Sequence, residues 1–309
     1  MMIMHHVLIG SFYDSPDPIL SNEGIVRLSI VGKLCVGIYT FIIGYGYAFA
    51  VERNWSYSLR HIMRLLVRYW LLCIVFIFIG ILNGFQPDWY VVLLNLFGLK
   101  CNYNLASWFI YFYIFSMLTL PIISRLLDKF PVTSLISIIV VSAVGCHFTP
   151  ESNVVTSMMK NCFMYSPVLF MGYFVAKYDW SFIKHKFSTV ELVLITLLML
   201  AACGVSRVFM GFCTYTFIAP ILAVSLVMLL NYPENRLLKR VLMNLGKASM
   251  YMWFIHAVFF SSKTRSIFQQ SDFWPKNLFV LFLLVVIISY VLALLLLRLD
   301  AMIIRKNKS

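Results

Sequence analysis

The chain reads as long apolar runs separated by short polar punctuation. A spanning helix needs roughly 20 mostly apolar residues. Runs near that length lie at about Ile30 to Val51, Tyr69 to Phe85, Ala106 to Ser124, Val132 to Phe148, Lys160 to Tyr178, Val190 to Val208, Phe212 to Asn231, Val241 to Ser262 and Leu278 to Leu297. A shorter run, Met1 to Phe12, precedes them and is broken by SFYDSPDPILSNEG. The pattern predicts an all-α polytopic membrane helix bundle of about ten transmembrane helices. DWYVVLLNLFGLK, from Asp88 to Lys100, is too short to span and carries Trp89 and Tyr90 at one end. It is expected to form one further interfacial or re-entrant segment. Gly80 and Gly84 make a GxxxG pair, which reads as close packing near a helix end, and the GYGYAFA run at Gly44 is a weaker glycine signal.

Composition supports this reading. Of 309 residues 61% are hydrophobic and 12% charged, and the mean hydropathy is +0.88, which excludes a water-soluble globular domain. The net charge of +13 is scattered among short loops, so it follows the positive-inside rule and no nucleic-acid partner is expected. Arg53, Arg60, Arg64 and Arg68 make the densest basic loop, which is predicted to be cytoplasmic. The loops with Arg125 and Lys129, with Lys177, Lys184 and Lys186, and with Arg236, Lys239 and Arg240 fall on the same side, as does the tail. Parity then puts both termini in the cytoplasm of a multi-pass cell-membrane protein. The seven cysteines show no CxxC spacing and read as small core hydrophobes. No bound metal, repeat or separate soluble domain is expected.

All twelve carboxylates fall in loops or at helix ends. Ion-coupled transporters commonly place an acid at mid-membrane, so this distribution weighs against transport and leaves histidine as the intramembrane base. The candidates are His5 and His6, in MMIMHHVLIG, and His256, in MYMWFIHAVFF. An imidazole titrates near neutral pH, and burial favours its neutral, basic form. Consecutive helical residues point about 100° apart, so only one of the adjacent pair can face a site squarely. His147 and His185, near predicted helix ends, read as structural.

Several segments, in order, resemble the integral-membrane acyltransferases of the acyltransferase-3 type. MIMHHVL is similar to that family's first helix, which ends in an essential histidine. KLCVGIYTFIIGYGYA resembles the second helix, with Ile43 where a serine is usual. LRHIMRLLVRYW resembles the basic RxxRL-x-x-P-Y segment; Arg64 matches it, while His61 and Arg68 depart from it. NLASWFIYFYI and GKASMYMWFIHAVFF resemble the Trp-Phe helix and the late helix that ends in histidine. The family's first helix usually carries a cation about three turns before its histidine. That position would precede Met1, so the chain is expected to be a single acyltransferase-like domain over residues 1–309 whose first helix is truncated.

The resemblance implies transfer of an acyl group, with acetyl expected, from acetyl-CoA to a hydroxyl of a cell-surface carbohydrate or polysaccharide. No cofactor is expected to be bound; acetyl-CoA is a substrate. His6, with His5 as the alternative, would be the base. Arg60, Arg64 and Arg68, at i, i+4 and i+8, would meet the phosphates of coenzyme A. Lys33, Tyr45, Trp108 and His256 are candidates for lining the site or the acceptor path. The alternatives are a membrane transporter of a lipid-linked oligosaccharide or small solute, and an inactive partner subunit.

Overall fold

The structure, a computed structural model, describes residues 1–9, 22–82, 84–150, 152–177, 187–210, 219–226, 236–260 and 277–306. The acidic residues Asp14 and Asp17, most of the expected span at Phe212 to Asn231, and Lys184 and Lys186 lie outside the described residues. Among the described residues the regular structure is helical, without a strand. The helices are α1 (Met2–Ile9), α2 (Asn22–Gly32), α3 (Leu34–Ala48), α4 (Trp55–Leu82), α5 (Trp89–Leu96), α6 (Trp108–Lys129), α7 (Pro131–Phe148), α8 (Val154–Lys177), α9 (Thr189–Val205), α10 (Arg236–Phe259) and α11 (Leu278–Lys306). Residues 219–226 are also helical. Among the described residues five stretches are long and apolar enough to cross a membrane: Ser29–Ala48, Trp55–Leu82, Trp108–Lys129, Pro131–Phe148 and Phe279–Asp300. The chain is an all-α membrane helix bundle.

Local chemistry explains where these helices start and stop. Asn54 caps α4, its Oδ1 accepting from the Tyr57 amide at 2.9 Å. The side chain of Asp88 caps α5 by accepting from the Tyr90 and Val91 amides. Ser188 and Glu191 form a capping box at α9. Pro131 opens α7 at its first turn, where a missing amide costs nothing. Only Gly84 and Gly98 have positive φ among the described glycines, at 80° and 74°. Both end helices in the same way. Phe85 and Gly84 amides donate to Gly80 and Ile81 carbonyls, and Leu99 and Gly98 amides donate to Leu94 and Asn95 carbonyls. These are Schellman caps, which a residue with a Cβ would strain.

Two sequence expectations change here. The GxxxG pair is not a packing motif, since a Cβ on Gly84 would meet nothing within 4 Å; Gly84 terminates α4. The basic stretch at Arg60, Arg64 and Arg68 is not a loop but lies within the 28-residue α4. No glycine or proline interrupts residues 55–79, and arginine and leucine are good helix formers, so the helix runs through the charges into the apolar run. The segment after Asp88 does form a helix of only 8 residues, about 12 Å long and too short to span.

The chain divides into two compact units, one comprising Met1–Gly32, Met63–Tyr111 and Asn235–Ser309, the other Lys33–Ile62 and Phe112–Glu234. In the first, α1 packs on α2, α10 and α11, and an ion pair of 2.5 Å between Arg68 and Asp300 joins α4 to α11. Asp300 lies within α11 and not in a loop. In the second, α8 packs against α3 and α7. The α3–α8 contact is a reciprocal glycine approach. A Cβ on Gly44 would lie 1.8 Å from the Leu169 carbonyl oxygen, and one on Gly172 would lie 2.1 Å from that of Phe41. Small residues let helix backbones come this close.

Gly44→Ala therefore forces two backbones apart and is expected to destabilise the protein by about 1–3 kcal/mol. Gly46→Ala, with nothing within 4 Å of its added methyl, is expected to be neutral or stabilising by up to about 1 kcal/mol. Thermal unfolding of both variants in the same detergent checks the contrast.

Candidate active site

Three imidazoles converge in the first unit. On α1 the rings of His5 and His6 have centroids 5.1 Å apart. The His6 ring lies 5.0 Å from that of His256 on α10 and 6.0 Å from the Phe260 ring. The helical offset of consecutive residues divides the pair between two neighbours. His5 turns to α2, and His6 turns to α10.

His5 is held by a hydrogen bond of 2.7 Å between its Nδ1 and the backbone carbonyl of Ser29. His256 is held by one of 2.8 Å between its Nδ1 and the carbonyl of Met252, one turn earlier. A carbonyl oxygen only accepts, so in each ring Nδ1 carries the proton, and in the neutral form the lone pair is on Nε2. His256 is wholly buried, and its Nε2 has no hydrogen-bond partner among the described residues. A buried lone pair left in this state costs free energy on the order of 1–3 kcal/mol. Functional sites are where such a cost is tolerated.

The surroundings fix these rings by close backbone contacts. A Cβ on Gly32 would lie 2.8 Å from both the His5 Cβ and the Met1 carbonyl oxygen. Only glycine lets α2 approach α1 closely enough for the Ser29 carbonyl to reach His5. The Ser29 hydroxyl donates to the Val26 carbonyl at 2.6 Å, inside its own helix. On the other flank Asn104 donates through Nδ2 to the Phe254 carbonyl at 2.9 Å, two residues before His256. The Tyr69 ring packs 4.9 Å from the Phe254 ring, and Asn95 donates to the Tyr69 hydroxyl at 2.7 Å. Asn95 and Asn104 are buried and were not among the residues singled out from the sequence. Their signal was present as two of the three asparagines, Asn102 being the third, in a mostly apolar and aromatic stretch that also holds Lys100.

The other candidates are distributed as follows. Trp108 opens α6 in the first unit, beside the Phe109 ring at 5.8 Å, and Phe109 packs 5.2 Å from Trp253 on α10. Lys33 and Tyr45 belong to the second unit. Lys33 is the residue between α2 and α3, and Tyr45 stacks along α3 between Phe41 and Phe49, at 5.9 and 5.2 Å. Arg60, Arg64 and Arg68 share α4. Arg60 donates to Ser56 at 2.8 Å and pairs with Glu52 at 3.4 Å. Arg68 is paired with Asp300, and Arg64 is exposed. Five of the carboxylates among the described residues are engaged in caps and ion pairs. Asp88 and Glu191 cap helices, and Glu52, Asp128 and Asp300 pair with arginines.

A cluster of three histidines in the first unit of an all-α membrane protein is an arrangement that can hold and pass protons. Residues 1–298 match the acyltransferase-3 family, whose description is an acyltransferase domain. The chain belongs to that family and is a membrane acyltransferase. No curated protein and no solved structure matches it.

If the Gly32 approach positions His5, Gly32→Val displaces α1 and lowers the acyl-transfer rate by about 100-fold, the scale expected for a misplacement near 1 Å. Steady-state rates measured on protein whose unfolding temperature is recorded in parallel test this. A wild-type rate would contradict it.

Proposed function

We propose that the enzyme O-acylates a hydroxyl of a cell-surface carbohydrate, with acetyl-CoA as donor, and that His6 is the general base. The observation that carries this reading is the three-histidine cluster, with His6 between His5 and His256. Two of its rings have their proton fixed on Nδ1 by backbone carbonyls. That arrangement supports a base whose neighbours can accept hydrogen bonds or a proton through Nε2.

In the proposed reaction the acceptor hydroxyl gives its proton to His6 as its oxygen attacks the thioester carbonyl carbon. The tetrahedral intermediate collapses with cleavage of the carbon–sulfur bond. The proton returns to the departing thiolate, releasing the acylated sugar and coenzyme A. His5 orients α1 through its bond to Ser29, and His256 shares the proton with His6. Arg64, exposed on α4, and Arg60, only loosely paired, are the proposed contacts for the donor's phosphates. Arg68 is the weakest of the three for that role because Asp300 already holds it. The positive-inside pattern supports cytoplasmic termini and a cytoplasmic entry for the donor. Lys33, Tyr45 and Trp108 remain proposed acceptor contacts, Tyr45 and Trp108 by stacking on a sugar ring.

Membranes containing the protein, incubated with acetyl-CoA labelled in the acetyl group, are expected to incorporate label into polysaccharide. His6→Ala is expected to lower incorporation by about 10²–10⁴-fold, the usual contribution of a general base. Full incorporation by both His6→Ala and His5→Ala would overturn the histidine mechanism. Solute transport without incorporation would favour the transporter.

A further inference from the structure

The second unit contains a cavity of about 430 Å³ between α6, α7 and α8, well within the size of a ligand site. Its wall is made by Phe115, Ile123 and Leu126 of α6, Val141 of α7, and Phe163 and Phe170 of α8. Leu126, Phe130, Ser137 and Val141 are exposed, so the cavity opens laterally as a cleft. Several hydroxyls also line it, and three of them are held by backbone carbonyls. Thr119 donates to the Phe115 carbonyl at 2.9 Å, Ser134 to that of Leu126 at 3.0 Å, and Ser166 to that of Cys162 at 2.6 Å. What the cleft presents to an occupant is therefore largely hydrocarbon.

One end of the cleft is cationic. Arg125 and Lys129 lie at i and i+4 on α6, both exposed, flanking the lining residue Leu126. The Lys129 ammonium sits 5.1 Å from the centroid of the Phe130 ring, which itself lines the cleft. The neighbouring carboxylate does not neutralise them. Asp128 is engaged by Arg53 at 3.0 Å, by Lys177 at 3.4 Å and by the Tyr173 hydroxyl at 2.8 Å. Among the described residues no carboxylate pairs with Arg125 or Lys129. A hydrocarbon cleft that ends in two uncompensated cations is complementary to an anionic amphiphile.

We propose that this cleft is a binding site for an anionic membrane phospholipid, one acyl chain lying between α6, α7 and α8 and the phosphate meeting Arg125 and Lys129. The chain replaces water or void against the aromatic wall, and the headgroup charge selects the lipid. The site is built from residues of the second unit alone and stands whether or not the proposed reaction is right.

Native mass spectrometry of the full chain in detergent tests it, with phosphatidylglycerol and phosphatidylcholine of equal chain length as probes. The wild type is expected to retain phosphatidylglycerol in preference to phosphatidylcholine. Arg125→Gln with Lys129→Gln is expected to reduce that preference by about 30-fold, the effect of two cations near a lipid headgroup. Ser137→Trp, or Val141→Trp should the first fail to fold, is expected to lower binding of both lipids by filling the cleft. Equal retention of both lipids by the wild type would overturn the proposal. So would a preference that survives in the double glutamine variant, or undiminished binding in both tryptophan variants.

Discussion

A neutral imidazole in an apolar interior has one donor and one acceptor, and both must be accounted for. In this protein the donors of His5 and His256 are accounted for by backbone carbonyls, Ser29 on a neighbouring helix and Met252 on the same helix. That fixes which nitrogen of each ring is the acceptor, and His6 lies between the two rings. The site depends on this orientation. A carboxylate beside the histidines would hold a proton strongly and change their basicity, and the described carboxylates with known partners serve caps and arginines elsewhere.

Backbone proximity, more than side-chain chemistry, produces the orientation. A helix of 8 residues such as α1 is marginal by itself and takes its position from its neighbours. Gly32 allows α2 to come within reach of His5. Asn104 and the Tyr69–Asn95 pair hold the turn of α10 that carries His256. The same device recurs in the second unit, where Gly44 and Gly172 press α3 and α8 together. Short apolar helices whose contacts are backbone to backbone have little room to shift, which suits a site needing fixed donors and acceptors.

What the sequence disclosed follows from the range of each signal. Membrane helices declare themselves through about 20 contiguous apolar residues, and histidines in such runs stand out by composition alone. The family resemblance of the ordered segments was also legible. Less legible were features decided by single backbone angles or distant partners. Gly84 looks the same in a packing motif and a Schellman cap until its φ is known. The arginines of α4 read as a loop because clustered charge interrupts an apolar pattern, although arginine propagates a helix about as well as leucine does. Asn95 and Asn104 are partners of residues far away in the chain, and no local pattern announces that. Nor could spacing tell that Lys33 and Tyr45 fall in a different compact unit from the histidines.

The central claim is that the His6 imidazole, rather than merely its bulk, carries the proton. Chemical rescue tests this most directly, by measuring acyl transfer in His6→Ala as free imidazole is added at a pH where it is neutral. The account predicts a depressed rate that climbs with imidazole concentration, while His5→Ala, whose defect is positional, does not respond. A His6→Ala protein that is as active as the wild type without imidazole, or folded and inactive at every imidazole concentration, would contradict it.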